Sequence, residues 1–164
     1  MCLSGKSILQ DTNTVTRDPS MYLDEIWQGY FADVSRVNQL EIAYGQPWKR
    51  RLGLIRLSLD NTTSFIGVNA LLQIQQIPEY ILIITIAHEI THYAHGFGSP
   101  LPRQYTHPHA HHVVQDELER RGLGEMMRLC DAWIDSAWFS FYDRQRGTGW
   151  VELPAVYRPA RSRP

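Results

Sequence analysis

The stretch Pro78-Glu79-Tyr80-Ile81-Leu82-Ile83-Ile84-Thr85-Ile86-Ala87-His88-Glu89-Ile90-Thr91-His92-Tyr93-Ala94-His95 decides how the chain is read. Pro78 suits a first helical position, where its missing N–H is no loss, and Glu79 suits the positive end of a helix dipole. The residues that follow are apolar on nearly every side, so the spacing predicts a central, buried helix over 78–95. Isoleucines would also permit a strand, but the uninterrupted length and the histidine spacing select helix. Gly96, Gly98 and Pro100 then break the chain.

Within that helix lies His88-Glu89-Ile90-Thr91-His92, the pattern His-Glu-x-x-His. Residues four apart share a helix face, so His88 and His92 can offer imidazole nitrogens to one metal ion. Glu89, one step round, can reach water on that metal without being a ligand. Neutral imidazoles leave zinc its positive charge, which lowers the pKa of bound water towards about 7. A carboxylate beside it can take the proton and pass it to a departing amine. With seven histidines and eight glutamates in 164 residues, chance supplies such a match only about 0.014 times. The competing reading is a pair of core histidines with ordinary hydrogen bonds.

A catalytic zinc needs a third protein ligand and an open position. His95 lies about 10.5 Å along the axis from His88, too far to share an ion comfortably with it, and is read as a neighbour of the site or as surface. Glycine and histidine three and six residues after the second motif histidine would mark a metzincin. Those positions hold His95 and Gly98 instead. Further donors lie in Thr106-His107-Pro108-His109-Ala110-His111-His112, at the start of a helix expected over 108–121. His109 and His112 are the leading choices there, with His107 and His111 also open. Asp116 and Glu117 are candidate carboxylate ligands or partners that orient a histidine, with a solvated helix face as the default reading.

Working outward, Asp18-Pro19-Ser20 carries a capping residue and a proline suited to starting a helix. Its apolar stripe runs through Tyr22, Leu23, Ile26, Trp27, Tyr30, Phe31, Val34 and Val37, and Gly45-Gln46-Pro47 ends the region. Segments 51–59 and 62–68, joined by Asp60-Asn61, predict an antiparallel hairpin. A short helix is expected over 69–76. A last helix over 125–142 carries Met126, Met127, Cys130, Trp133, Ile134, Ala137, Trp138 and Phe141 on one broad face, read as core. The organisation is a leading segment 1–17, one domain over 18–143 and a Pro/Arg-containing tail over 144–164, where Trp150, Val151 and Leu153 are candidates to dock on the body.

Composition narrows the classes. The chain is 43% hydrophobic and 20% charged, a globular profile rather than a disordered or collagenous one. Sixteen basic and 17 acidic residues give a net charge of −1, so no global basic excess points to a polyanion. Two cysteines cannot build a disulfide framework or a four-cysteine ribbon. The longest apolar run falls well short of the roughly 20 residues that span a bilayer, and the opening lacks the succession of a secretory signal. The expected location is cytoplasmic, without membrane contact. Asn61-Thr62-Thr63 is read as a turn rather than a glycosylation site.

Taken together, the first amphipathic helix, the β segment, Ile66-Gly67-Val68-Asn69 with Leu71-Leu72, the motif Ile86-Ala87-His88-Glu89-Ile90-Thr91-His92 and a later histidine-led helix closing at glycine resemble the SprT-like (Spartan-related) zinc metallopeptidase family. The resemblance spans roughly residues 21–122. It implies an α+β fold: a minimal zincin-like single domain, mostly helical, with a small antiparallel β-sheet and a central motif helix. It implies a third ligand at the start of a helix, with a bulky apolar residue four positions on and a glycine about a dozen on. His109, Val113 and Gly122 meet that spacing, although Ala110 stands where glycine is usual and Val113 where an aromatic is usual.

The expected function is a Zn2+-dependent metallopeptidase acting on protein or peptide. His88, His92 and His109 hold the metal, and Glu89 is the general base. Tyr93 and Tyr105 are candidate oxyanion donors. Some SprT-like proteins act on proteins linked to DNA, and Lys49-Arg50-Arg51, Arg56 and the arginine-bearing tail are candidates for weak phosphate contact. Two other classes compete: a non-catalytic zinc-stabilised binding module or inactive relic, and a metal-free helical interaction protein. Oligomeric state is not legible.

Overall fold

The computed structural model describes residues 17–154. The leading segment before Arg17 and the tail beyond Pro154 lie outside the described residues. The class is α+β, with helices packed round a three-stranded sheet.

Helix α1, Pro19–Tyr30, starts where capping chemistry puts it: the Asp18 carboxylate accepts from the Ser20 N–H at 2.9 Å, and Pro19 occupies the first turn. Leu23, Ile26 and Trp27 face the core. The helix stops at Tyr30, earlier than the stripe through Val34 and Val37 implies. Buried Phe31 leaves helical geometry, with φ −127°, and the chain turns into strand β1, Gln39–Tyr44. That strand went unread because Val34 and Val37 prolong the helical period up to its start. Its own signal is the alternation of exposed Gln39, Glu41 and Ala43 with half-buried Leu40, Ile42 and Tyr44.

The expected hairpin is present as β2, Gly53–Leu57, paired antiparallel with β3, Thr63–Val68. Strand β1 joins β3 in parallel, so the sheet is mixed rather than purely antiparallel, in the order β1-β3-β2. Strand β2 is therefore an edge. A short 3-10 turn, Ala70–Gln73, follows with Asn69 as its cap.

Helix α2, Glu79–Ala94, carries the motif and packs against α1, the sheet and the later helices. Pro78 is its capping residue, not its first helical one, with ψ 137°. The Arg17 guanidinium fixes this entry by donating to the carbonyls of Leu72 at 3.0 Å and Ile77 at 2.8 Å. At the far end Phe97 N–H bonds the His92 carbonyl at 2.9 Å and Gly96 N–H the Tyr93 carbonyl at 3.1 Å. This closure needs the left-handed backbone that Gly96 adopts, φ +80°, and a Cβ there would meet the Pro102 carbonyl oxygen at 2.4 Å.

The helix expected from Pro108 begins later. Ala110–His112 form a 3-10 turn with His111 and His112 both left-handed, at φ 47° and 61°, and α3 is Val113–Arg120. Its buried Glu117 accepts from Arg121 at 2.7 Å and from Arg120, and Arg121 grips Asp33 at 2.6 and 3.0 Å, tying α3 to the end of α1. The final helical region is three pieces: α4, Gly124–Trp133, a π-helical stretch Ile134–Trp138, and α5, Phe139–Gly147. The wider π turn seats Trp138 in the core, where its indole donates to the Lys49 carbonyl at 2.8 Å. Leu153 is buried and the Trp150 ring meets Tyr142 edge-on, whereas Val151 is exposed.

Candidate metal centre and its cleft

Helical spacing sets the first two donors. His88 and His92, one turn apart on α2, hold their rings edge-on with centroids 4.6 Å apart. The arm before α3 brings His109 over the same spot, its ring 5.3 Å from His88 and 4.7 Å from His92. One nitrogen from each of the three lies within 4.8 Å of the others. Among the described residues this is the grouping able to hold a metal ion; His107, His111 and His112 are not part of it. His109 is the capping residue of the 3-10 turn that leads into α3.

The donors fit a borderline metal such as zinc. Burial, with the neighbouring His109, holds the His88 imidazole down at about 4, and burial with the neighbouring histidines holds His92 at about 3. Both rings are therefore neutral at physiological pH, with lone pairs free for ligation. Among the described residues the buried His92 Nδ1 has no hydrogen-bond partner, a costly state for a polar atom at this site.

Glu89 is 5% exposed, and burial raises its carboxyl to about 8 against the opposing pull of Arg51. It lines the same cleft as the three histidines, an open cavity of about 1060 Å³ between α2, β2 and α4. Opposite stands Gly53 at the start of β2. A Cβ on Gly53 would lie 2.7 Å from Glu89 Oε1 and 2.9 Å from Thr85 Cγ2, so glycine is what lets the edge strand pass the carboxylate. The signal was an isolated glycine inside a strand pattern, which marks close approach of another group. Thr85, one turn before Glu89, is also on the cleft wall, its buried hydroxyl without a hydrogen-bond partner among the described residues. Gly53→Ala should cost about 1–2 kcal/mol through overpacking but lower kcat/KM for any Glu89-dependent reaction by about tenfold or more. Thermal melts beside steady-state kinetics check this, and an activity loss no larger than the unfolded fraction contradicts it.

Other expectations resolve differently. His95 is turned away, its Nε2 3.6 Å from Glu117 and its ring against Tyr105. Tyr93 donates to Asn38 at 2.8 Å, accepts from the Val37 N–H and stacks edge-on with Trp27, so its hydroxyl is engaged away from the cleft. Tyr105 does not line the cleft either. Lys49 is paired with Asp143 at 3.0 Å, whereas Arg50, Arg51 and Arg56 line the cavity. Cys130 reaches the cleft wall from α4 but is 2% exposed, and burial pushes its thiol up to about 12. No helix among the described residues is long and apolar enough to cross a membrane.

No family model matches the chain, and no curated protein does. Among solved structures it is similar to the metallopeptidase zymogen of Methanocaldococcus jannaschii, jannalysin, at 17% identity and a TM-score of 0.34. That likeness covers 69% of this chain and 98% of the other.

Proposed function

We propose that the protein is a zinc-dependent metallopeptidase of SprT-like type, and the observation that carries this is the convergence of His88, His92 and His109 beside Glu89 in one open cleft. Held by the three imidazoles, Zn2+ would supply the Lewis acidity that makes water nucleophilic and polarises a carbonyl. The chain's own residues do the rest. Glu89 takes a proton from the attacking water and returns it to the amine nitrogen as the peptide bond breaks. Burial raises the carboxyl above its ordinary range, which makes its oxygens better proton acceptors than those of a solvated glutamate. Gly53 keeps its approach clear. Strand β2, an edge facing the cleft, offers unpaired backbone groups along which an extended peptide can lie.

A metal that only braced the fold would not require Glu89, a costly buried carboxylate with no ion-pair partner among the described residues. The purified chain should contain about one zinc and cleave members of a mixed peptide library. A chelator should stop cleavage and added zinc should restore it, with mass spectrometry as the readout. Zinc bound without any cleavage would favour the binding module instead, and absence of bound metal would sink both readings.

A further inference from the structure

The free side of β2 is bordered by arginines that form no ion pair among the described residues, Arg51 among them lying near enough to Glu89 for its charge to act on that carboxyl. Arg50 and Arg51 lie just before the strand and Arg56 on it, all exposed and all on the cleft wall. Beyond Arg56 the cleft continues as a groove of about 570 Å³, which shares Ile55, Arg56 and Gly98 and adds Arg103. Among the described residues none of these four makes an ion pair, while Arg36, Arg120, Arg121 and Arg128 each hold a carboxylate. Arg103 lies over the Phe97 ring, at 5.3 Å. The chain as a whole carries −1, yet on the cleft wall Arg50, Arg51 and Arg56 outnumber the two carboxylates there, Glu89 and Asp131.

The backbone under the first pair is also fastened. Asn69 Nδ2 donates to the carbonyls of Trp48 and Arg51, both at 2.7 Å, and the Trp138 indole to that of Lys49. Segment 48–51 is thus a fixed mount for its side chains, which lowers the entropy lost when a guanidinium takes a ligand.

We propose that the cleft selects peptides bearing acidic side chains flanking the cleaved bond, with Arg50 and Arg51 receiving them at one end of β2 and Arg56 with Arg103 at the other. This rests on the peptidase reading above. Carboxylates suit guanidinium forks, which accept them in a planar two-point contact. Spacing fixes the positions. Gly53 stands opposite Glu89, and Arg56 is three residues on, about 10 Å at strand rise, so the acidic residue falls about three from the scissile bond. The faces agree as well: Gly53 looks towards Glu89, so Arg56 points to the opposite face, and a paired residue three positions along presents its side chain there too.

The test uses peptide twins that differ only in Glu or Gln at one position within three residues of a cleaved bond. Wild type should cut the Glu twin with kcat/KM about fivefold higher at low salt, through KM, at one position or more. That ratio should fall to about one in Arg56→Gln or Arg50→Gln, and Arg56→Glu should prefer Lys to Gln at the same position. Twins cut equally at every position overturn the proposal while leaving the peptidase reading intact, as does a preference that survives both variants. Equal twins, together with a single-stranded oligonucleotide that binds salt-dependently and is lost on the same variants, assign the arginines to phosphate and also overturn it. Failure of zinc-loaded wild type to cut any peptide is a different result, and removes the peptidase reading and this proposal together.

Discussion

Glu89→Gln is expected to lower kcat for peptide hydrolysis by about 10³-fold while leaving zinc content unchanged. Gln keeps the shape of Glu, so the clearance at Gly53 and the packing against Thr85 survive, but its amide cannot accept a proton from water. Burial already disfavours the charged form at this position. Replacing a buried carboxylate by a neutral amide should therefore hold the melting temperature or raise it. Zinc analysis, calorimetry and single-turnover kinetics on matched preparations provide the check. Hydrolysis that persists at wild-type rate would remove Glu89 from the reaction.

The second large effect concerns metal retention. His109→Ala should weaken zinc binding by about 100-fold, since a site worth about 12 kcal/mol shared among four positions loses about 3 kcal/mol with one of them. His112→Ala should leave affinity nearly unaltered, because His112 is exposed and outside the group formed by His88, His92 and His109. Competition against a chromogenic chelator measures both variants. If His112→Ala released the metal and His109→Ala kept it, the assignment would be reversed.

The difference between these histidines shows where the sequence stops being legible. His88, Glu89 and His92 could be placed relative to one another because a helix of fixed pitch carries all three, and the apolar run around them announced that helix. His109 belongs to an arm whose path depends on two left-handed residues, neither of them glycine, so local propensity could not say which histidine the arm would deliver. Its spacing to Val113 and Gly122 picked it out only through resemblance. Strand β1 was hidden by a helical period that ran on through Val34 and Val37. Gly53 carried a local hint, but that its neighbour would be Glu89 follows from sheet order and helix packing, which no single segment encodes. The cleft arginines were visible as Lys49-Arg50-Arg51 and Arg56, yet only the fold separates paired Lys49 from the rest.

The back-to-back left-handed residues His111 and His112 constrain how this arm can drift over evolutionary time. Each position costs an ordinary side chain about 1–2 kcal/mol, least for glycine or asparagine and most for β-branched types. Lineages sharing this architecture are therefore free to exchange either histidine for Gly or Asn, but an Ile or Val at 111 or 112 would straighten the arm and swing position 109 out of reach of its two companions.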